Sequence, residues 1–321
     1  IKPLYIGHAG ERSLFASELK ALAGRATRVE EFPPGSFYHS RTGFHRYREI
    51  PRAEPEERAA EEWCALIRHT LERAITRRLM SDVPLGAFLS GGLDSSIIAA
   101  IARAHMDELH TFSVGLEGSP DILAARRVAR HIDSIHHETL FTAEEIERHL
   151  PEVVYHLESF DQDLVRSAVP CYFVSRLAAQ HVKVILTGEG ADELFGGYTY
   201  YKDFEDNAPL HEELYRSVSS LHNINLQRVD RLTMAHSIEG RVPFLDLEMI
   251  TLAQQIPAAW KIRTGQNGQP VEKWILRKAF EDLLPHDIVW RTKEQFDEGS
   301  GTTGVMDGLS ERFLPAADVP S

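Results

Sequence analysis

Cysteine is scarce: Cys64 and Cys171 are the only two in 321 residues. That excludes a disulfide framework and fits a reducing compartment, the cytoplasm. Both lie in amphipathic helical patterns, "EEWCALI" and "PCYFVSRLAAQ", and read as buried structural thiols rather than nucleophiles. No uncharged apolar run approaches the ~18 residues of a membrane span, and no basic, apolar leader marks secretion. The missing initiator methionine sets the expectation of a fragment or a processed chain. Positive charge is also short, 35 Lys and Arg against 48 Asp and Glu, for a net −13. This excludes a general nucleic-acid surface but not a small anionic substrate, which feels only local charge. Basic residues gather late, in "KWILRK" and "WRTKEQ", as solvated helix faces or as pocket residues. No metal-ligand spacing, internal repeat or low-complexity tract occurs. His136 and His137 are adjacent in a strand pattern, so their rings face opposite sides and read as structural.

What is present is a 43% hydrophobic chain, enough for a sizeable core. Residues 1–50 are short alternating segments broken by Gly and Pro ("KPLYIG", "RSLFASE", "GSFYHS"), as in β-structure. A helix follows, with Trp63, Ile67, Leu71, Ile75 and Leu79 at helical spacing. A boundary near Pro51–Pro55 divides the chain into domains 1–50 and 51–321. Beyond it, strands ("GAFLS", "LHTFSVGL", "HHETLF", "VKVILTG") alternate with helices ("SSIIAAIARAHM", "PDILAARRVARHI", "AEEIERHLPEVVYHLE", "AVPCYFVSRLAAQ"). Such alternation predicts an α/β fold with a doubly wound parallel sheet. After Tyr201 the pattern is mainly helical, with breaks at "VPFLD" and "RTGQNGQP".

In sheets of this kind, ligands bind beyond the carboxyl ends of the strands. Two predicted strands end in loops of special composition, "SGGLDSS" and "TGEGADELFGG". Glycines let successive N–H groups converge, the following helix adds its positive N-terminus, and Ser90, Ser95 and Ser96 add hydroxyls that phosphate oxygens accept. Asp94 belongs beside phosphates only if a divalent cation bridges them. The pattern is neither a Walker loop nor a dinucleotide fingerprint.

SGGxDS resembles the pyrophosphate loop of N-type ATP pyrophosphatases, which cleave ATP between the α- and β-phosphates and transfer AMP to an oxygen. "LTGEGADELFGGY", "SIEGRVPFLD", "EKWILRKAF", "WRTKEQF" and "HTFSVGLEGSPD" then resemble, in order, the asparagine synthetase family. "KPLY", "FASELKAL" and "EFPPGS" resemble the end of its glutaminase domain, so residues 1–50 are expected to be a β-rich remnant of an N-terminal-nucleophile glutaminase. The resemblance implies ATP and Mg²⁺ as cofactors and aspartate, with ammonia or glutamine, as small-molecule substrates. It implies no membrane and is compatible with a homodimer. Ser90, Gly91, Gly92, Asp94, Ser95 and Ser96 would hold the β- and γ-phosphates, with Asp94 and Asp192 as metal ligands. Leu89, Val114, Thr187 and Gly188 would contact the nucleoside. Glu189 would serve the acyl-adenylate step and ammonia attack, and Arg241 and Lys293 would be cations near the transition state. Taken alone, Glu189 could equally pair with Arg241, and Asp192 could cap the helix "DELF".

Two departures qualify the resemblance. Where the family has D-x-T-T-x-R-A, this chain reads "DQDLVRSA": Asp163 and Leu164 replace two threonines, while Arg166 persists. Asp163 and Arg166 are thus the expected amino-acid contacts, with a changed grip or a different acceptor. The second departure is the missing catalytic cysteine of the glutaminase, which sets the expectation that the chain as given uses ammonium. The leading reading is aspartate amidation through β-aspartyl-AMP. A β-lactam synthetase-like cyclase, another amidotransferase or a non-catalytic nucleotide-binding relative are the alternatives.

Overall fold

The computed structural model describes residues 2–265, 268–292 and 296–313. The first segment forms antiparallel β-structure. β1 (Tyr5–Ala9) is flanked by β2 (Arg12–Ala16) and β3 (Arg28–Glu31), and β4 (Ser36–His39) pairs with β5 (Gly43–Arg46) in a separate hairpin. Residues 47–59 then run without regular structure into α1 (Ala60–Arg78). The helical spacing noted above is its buried stripe: Trp63, Ile67, Leu71 and Ile75 are all fully buried. Truncating one such aliphatic to alanine costs about 2–5 kcal/mol.

The central unit follows the predicted alternation: β6 (Leu85–Phe88), α2 (Leu93–Ala104), β7 (His110–Gly115), α3 (Pro120–Ile132), β8 (Ile135–Leu140), α4 (Ala143–Leu157), α5 (Gln162–Ala178) and β9 (Val184–Leu186). The expected doubly wound parallel sheet is present. Its order is β10-β9-β6-β7-β8, with β10 spanning Glu239–Arg241, and every pairing is parallel. Both faces are covered, which explains why the strands read as near-continuous apolar runs. In β9, Val184 and Leu186 enter one core cluster with α1, α2 and α3, while Ile185 enters the other with α4 and α5.

Two elements differ from expectation. α5 begins six residues before "AVPCYF": Asp161 caps it by accepting from Leu164 N at 2.9 Å, and Pro170 lies inside it. A proline in a helix withholds one donor, but packing of α5 against α4 and the sheet holds the helix through it. β10 falls just before the expected break at "VPFLD", in a stretch read as mainly helical. Three residues are too few to show a period, and only pairing with β9 makes them a strand.

The remainder is mainly helical, as expected: α6 (Ala191–Phe195), α7 (Asn207–Ser220), α8 (Asn225–Met234), α9 (Leu247–Gln255) and α10 (Ala258–Lys261). A small hairpin, β11 (Arg263–Thr264) with β12 (Pro270–Val271), leads to α11 (Trp274–Ala279), α12 (His286–Val289), α13 (Phe296–Gly299) and α14 (Thr302–Phe313). Among the described residues, no helix is long and apolar enough to cross a membrane.

The sheet order fixes where a ligand can sit. From β6 the chain proceeds outward through β7 and β8, then returns to place β9 on the other side of β6. The loops after β6 and β9 therefore diverge from a topological switch point, where a crevice opens. They are the two glycine-rich loops singled out by composition.

Candidate active site

A cavity of about 410 Å³ opens at this switch point. On one wall is the β6–α2 loop. α2 starts at Leu93 with no side-chain cap on Gly92, so the N–H groups of its first turn are available to an anion. Ser90 and Ser95 line the cavity, their hydroxyls 3.1 Å apart, and Gly92 N donates to Ser90 Oγ at 3.3 Å. Leu89 and Val114, with Phe88 and Val174, supply apolar wall.

The β9–α6 loop forms the facing wall with Thr187, Gly188, Glu189 and Asp192. The loops touch at Gly188: a Cβ there would lie 3.0 Å from Asp94 Cβ and 3.2 Å from Ser95 N. A side chain there would push the two loops apart by a few tenths of an ångström.

Between the loops stands Lys273, a residue that the sequence reading did not single out. Its Nζ lies 2.5 Å from Asp94 Oδ2 and 2.6 Å from Asp192 Oδ1, and its side chain is 1% exposed. Its backbone is left-handed (φ 54°), a strained conformation for a long side chain and one that recurs at functional sites. Gly197 makes room, since a Cβ there would sit 1.9 Å from Asp192 Oδ1 and 2.2 Å from Lys273 Cε.

Asp94 Oδ1 is buried and has no hydrogen-bond partner among the described residues. A hard divalent cation favours such carboxylate oxygens, so Asp94 and Asp192 fit Mg²⁺.

Glu189 pairs with Arg228 Nη2 at 2.6 Å, not with Arg241. Arg228 comes from α8 and is itself buried. Beneath Asp192, Glu193 is buried; Tyr198 Oη donates to its Oε1 at 2.5 Å and Asn225 Nδ2 at 3.1 Å. Burial, then the adjacent Asp192 charge, pushes the Glu193 carboxyl up to about 7. Farther round the wall, Arg291 Nη2 donates to Asp121 Oδ1 at 2.9 Å.

Several expected residues are not brought to the cavity. Arg241 pairs with Glu239 at 2.7 Å and donates to the carbonyls of Arg78 and Met80. Its place in β10 aims the guanidinium at the end of α1. Arg166 is engaged by Asp307 of α14 and stands outside the lining, although Asp163, Leu164 and Ser167 of the same helix line it. Gly91 and Ser96 are also off the wall: Gly91 (φ 76°) turns the loop against Ala124 and Ala125, and Ser96 is fully buried. Lys293 lies outside the described residues.

The open question of the late basic residues divides by position. In "KWILRK", Lys273 and Arg277 reach the cavity, whereas Lys278 faces solvent and pairs with Glu281. Of the two thiols expected to be buried, Cys171 is and Cys64 is half-buried; burial raises the Cys64 pKa and pushes that of Cys171 up to about 12.

The family model for asparagine synthase matches residues 66–208 and 202–317. The chain belongs to the asparagine synthase family. It is 40% identical over 328 residues to asparagine synthetase [glutamine-hydrolyzing] 2 of Oryza sativa subsp. japonica, covering 97% of this chain and 55% of that protein. The Zea mays asparagine synthetase [glutamine-hydrolyzing] is 41% identical, over 96% of this chain and 55% of that protein. A probable asparagine synthetase of Dictyostelium discoideum is 38% identical, over 97% and 61%. The chain thus spans about half the length of the curated relatives it matches.

Proposed function

We propose that this chain carries the ATP-dependent half of a glutamine-hydrolysing asparagine synthetase, converting aspartate to asparagine through β-aspartyl-AMP in the cytoplasm. One observation carries the reading: two glycine-rich loops at the switch point converge Asp94, Asp192 and Lys273 beside Glu189 in a single cavity. Family membership and three relatives named as asparagine synthetases support it.

In this reading the N–H groups of the α2 N-terminus, with Ser90 and Ser95, bind the β- and γ-phosphates. Asp94 and Asp192 would hold Mg²⁺, which supplies charge neutralisation on the triphosphate. Lys273 lies where negative charge accumulates as pyrophosphate leaves, and stabilises it. The aspartate β-carboxylate attacks the α-phosphorus, forming β-aspartyl-AMP. Ammonia then attacks the acyl carbon, AMP departs, and Glu189 takes the proton that the incoming nitrogen sheds. Arg228 fixes Glu189 in position through the 2.6 Å pair. Asp163, beside Leu164 and Ser167 on the wall, offers a carboxylate to the substrate ammonium.

Residues 1–50 are, in this proposal, the trailing part of the glutaminase domain. Their antiparallel sheets are distinct from the parallel one. They dock on α4 and α8: Glu158, which ends α4, accepts from Leu19 N and Lys20 N at 2.7 Å, and Arg231 of α8 donates to Tyr5 Oη at 2.9 Å. ATP–pyrophosphate exchange with candidate amino acids, followed by amide formation with ammonium, tests the reading. Exchange stimulated by aspartate and asparagine as product support it; exchange with another acid alone moves the assignment to a cyclase or another amidotransferase.

A further inference from the structure

Three histidines far apart in sequence converge on the amino half of the sheet, away from the cavity. His110 opens β7, His137 is in β8, and His181 lies in the link from α5 to β9. His110 Nδ1 and His137 Nε2 are hydrogen-bonded at 2.8 Å, with ring planes 15° apart. The His181 ring stacks on His137 at a centroid distance of 3.8 Å. One ring nitrogen from each lies within 4.8 Å of the others. His136 takes no part, because its ring faces the opposite side and bonds Thr111 and Ser113 at 3.0 and 3.1 Å.

We propose that His110, His137 and His181 form a binding site for one divalent transition-metal ion of the zinc class. Three imidazoles with no carboxylate select borderline metals over Mg²⁺ or Ca²⁺, which require oxygen ligands. Tetrahedral coordination at ~2.0–2.1 Å sets ligand nitrogens about 3.3 Å apart, so on binding the His181 ring, now stacked face to face on His137, turns its edge toward the point shared by His110 and His137. The ion takes the place of the proton shared by His110 and His137. Whichever ring donates that proton carries it on its other nitrogen once the metal binds, so both remain neutral and no proton is released. His181 is exposed, leaving the fourth position to water. None of the three lines the active cavity, so the metal would clip β7, β8 and the α5–β9 link together without entering the reaction.

The test uses the whole chain with Co²⁺ and Zn²⁺ as probes. Wild type should bind one Co²⁺ with the visible ligand-field bands of a four-coordinate ion, and Zn²⁺ should raise its Tm by more than it raises that of His181→Gln. His181→Gln, an exposed change with little risk to folding, and His110→Gln should each weaken Co²⁺ binding at least tenfold, by the scale on which coordination-sphere changes act. His181→Gln should leave ATP–pyrophosphate exchange unchanged. Absence of a saturable Co²⁺ band in wild type, or titration of His181→Gln like wild type, would overturn the proposal.

Discussion

Replacing Lys273 by methionine keeps the aliphatic stem and removes the ammonium. Asp94 and Asp192 would then face one another with no cation between them. Removing one partner of a buried ion pair costs about 3–5 kcal/mol. The two carboxylates are 14% and 19% exposed, so water relieves part of the repulsion and the lower end, about 3 kcal/mol, applies. For a chain of this size that lowers Tm by roughly 4–5 °C. Mg²⁺ should restore more Tm to the variant than it adds to wild type, because a dication can settle between the bare carboxylates. Pyrophosphate release should fall by about 10²–10³-fold, the usual loss when one transition-state charge partner is removed. Thermal unfolding with and without Mg²⁺, beside ATP–pyrophosphate exchange, measures both effects. A folded Lys273→Met with wild-type Tm and wild-type exchange would refute this account of the cluster.

Asp94→Ala and Asp192→Ala should each abolish pyrophosphate release, and near-normal release from either folded variant would remove the metal assignment. Glu189→Gln should retain ATP binding and lose asparagine formation from ammonium, checked by nucleotide titration and product analysis. Arg166→Ala should leave the KM for the amino acid unchanged, because its guanidinium is held by Asp307 rather than turned into the cavity; a large rise in KM would contradict that placement. Glu193 has an unusual pH signature. Its folded pKa of about 7 stands above the ordinary 4.5, so the folded state holds the proton more tightly. The stability it adds is complete below about pH 4.5 and is lost as pH rises through about 7, a change on the order of 3 kcal/mol. Glu193→Gln should flatten that descent in Tm relative to wild type.

Much of this was legible because it is local. Each glycine-rich loop is continuous in sequence, and strand–helix alternation is a period that short windows reveal. Lys273 and Arg228 were not, because each earns its place only through tertiary neighbours. Lys273 looks like one more charge in a basic helix, and nothing in "QRVDRL" distinguishes Arg228 from a solvated arginine. Arg228 and Arg231 are both buried on α8, which only the packed structure reveals. Arg241 and Arg166 lie off the cavity for the converse reason: a motif fixes the residue but not the rotamer, and nearby carboxylates and carbonyls engage both guanidinium groups. The histidine cluster follows no ligand spacing at all, since its members meet only when β7, β8 and the link to β9 are side by side.

The lysine between the two loops also bears on how the chain reaches its native state. Asp94 and Lys273 are 179 positions apart, so their contact closes a very long loop. Until the segment around β12 and α11 docks, the two carboxylates repel each other and resist the close approach that Gly188 permits. The sheet can assemble first, but the reactive crevice cannot tighten until the late helices arrive. Amide protons of the β9–α6 loop should therefore acquire exchange protection together with those of α11, and later than those of β6 and β7. Catalytic competence would then be among the last properties the folding chain gains, and among the first it loses.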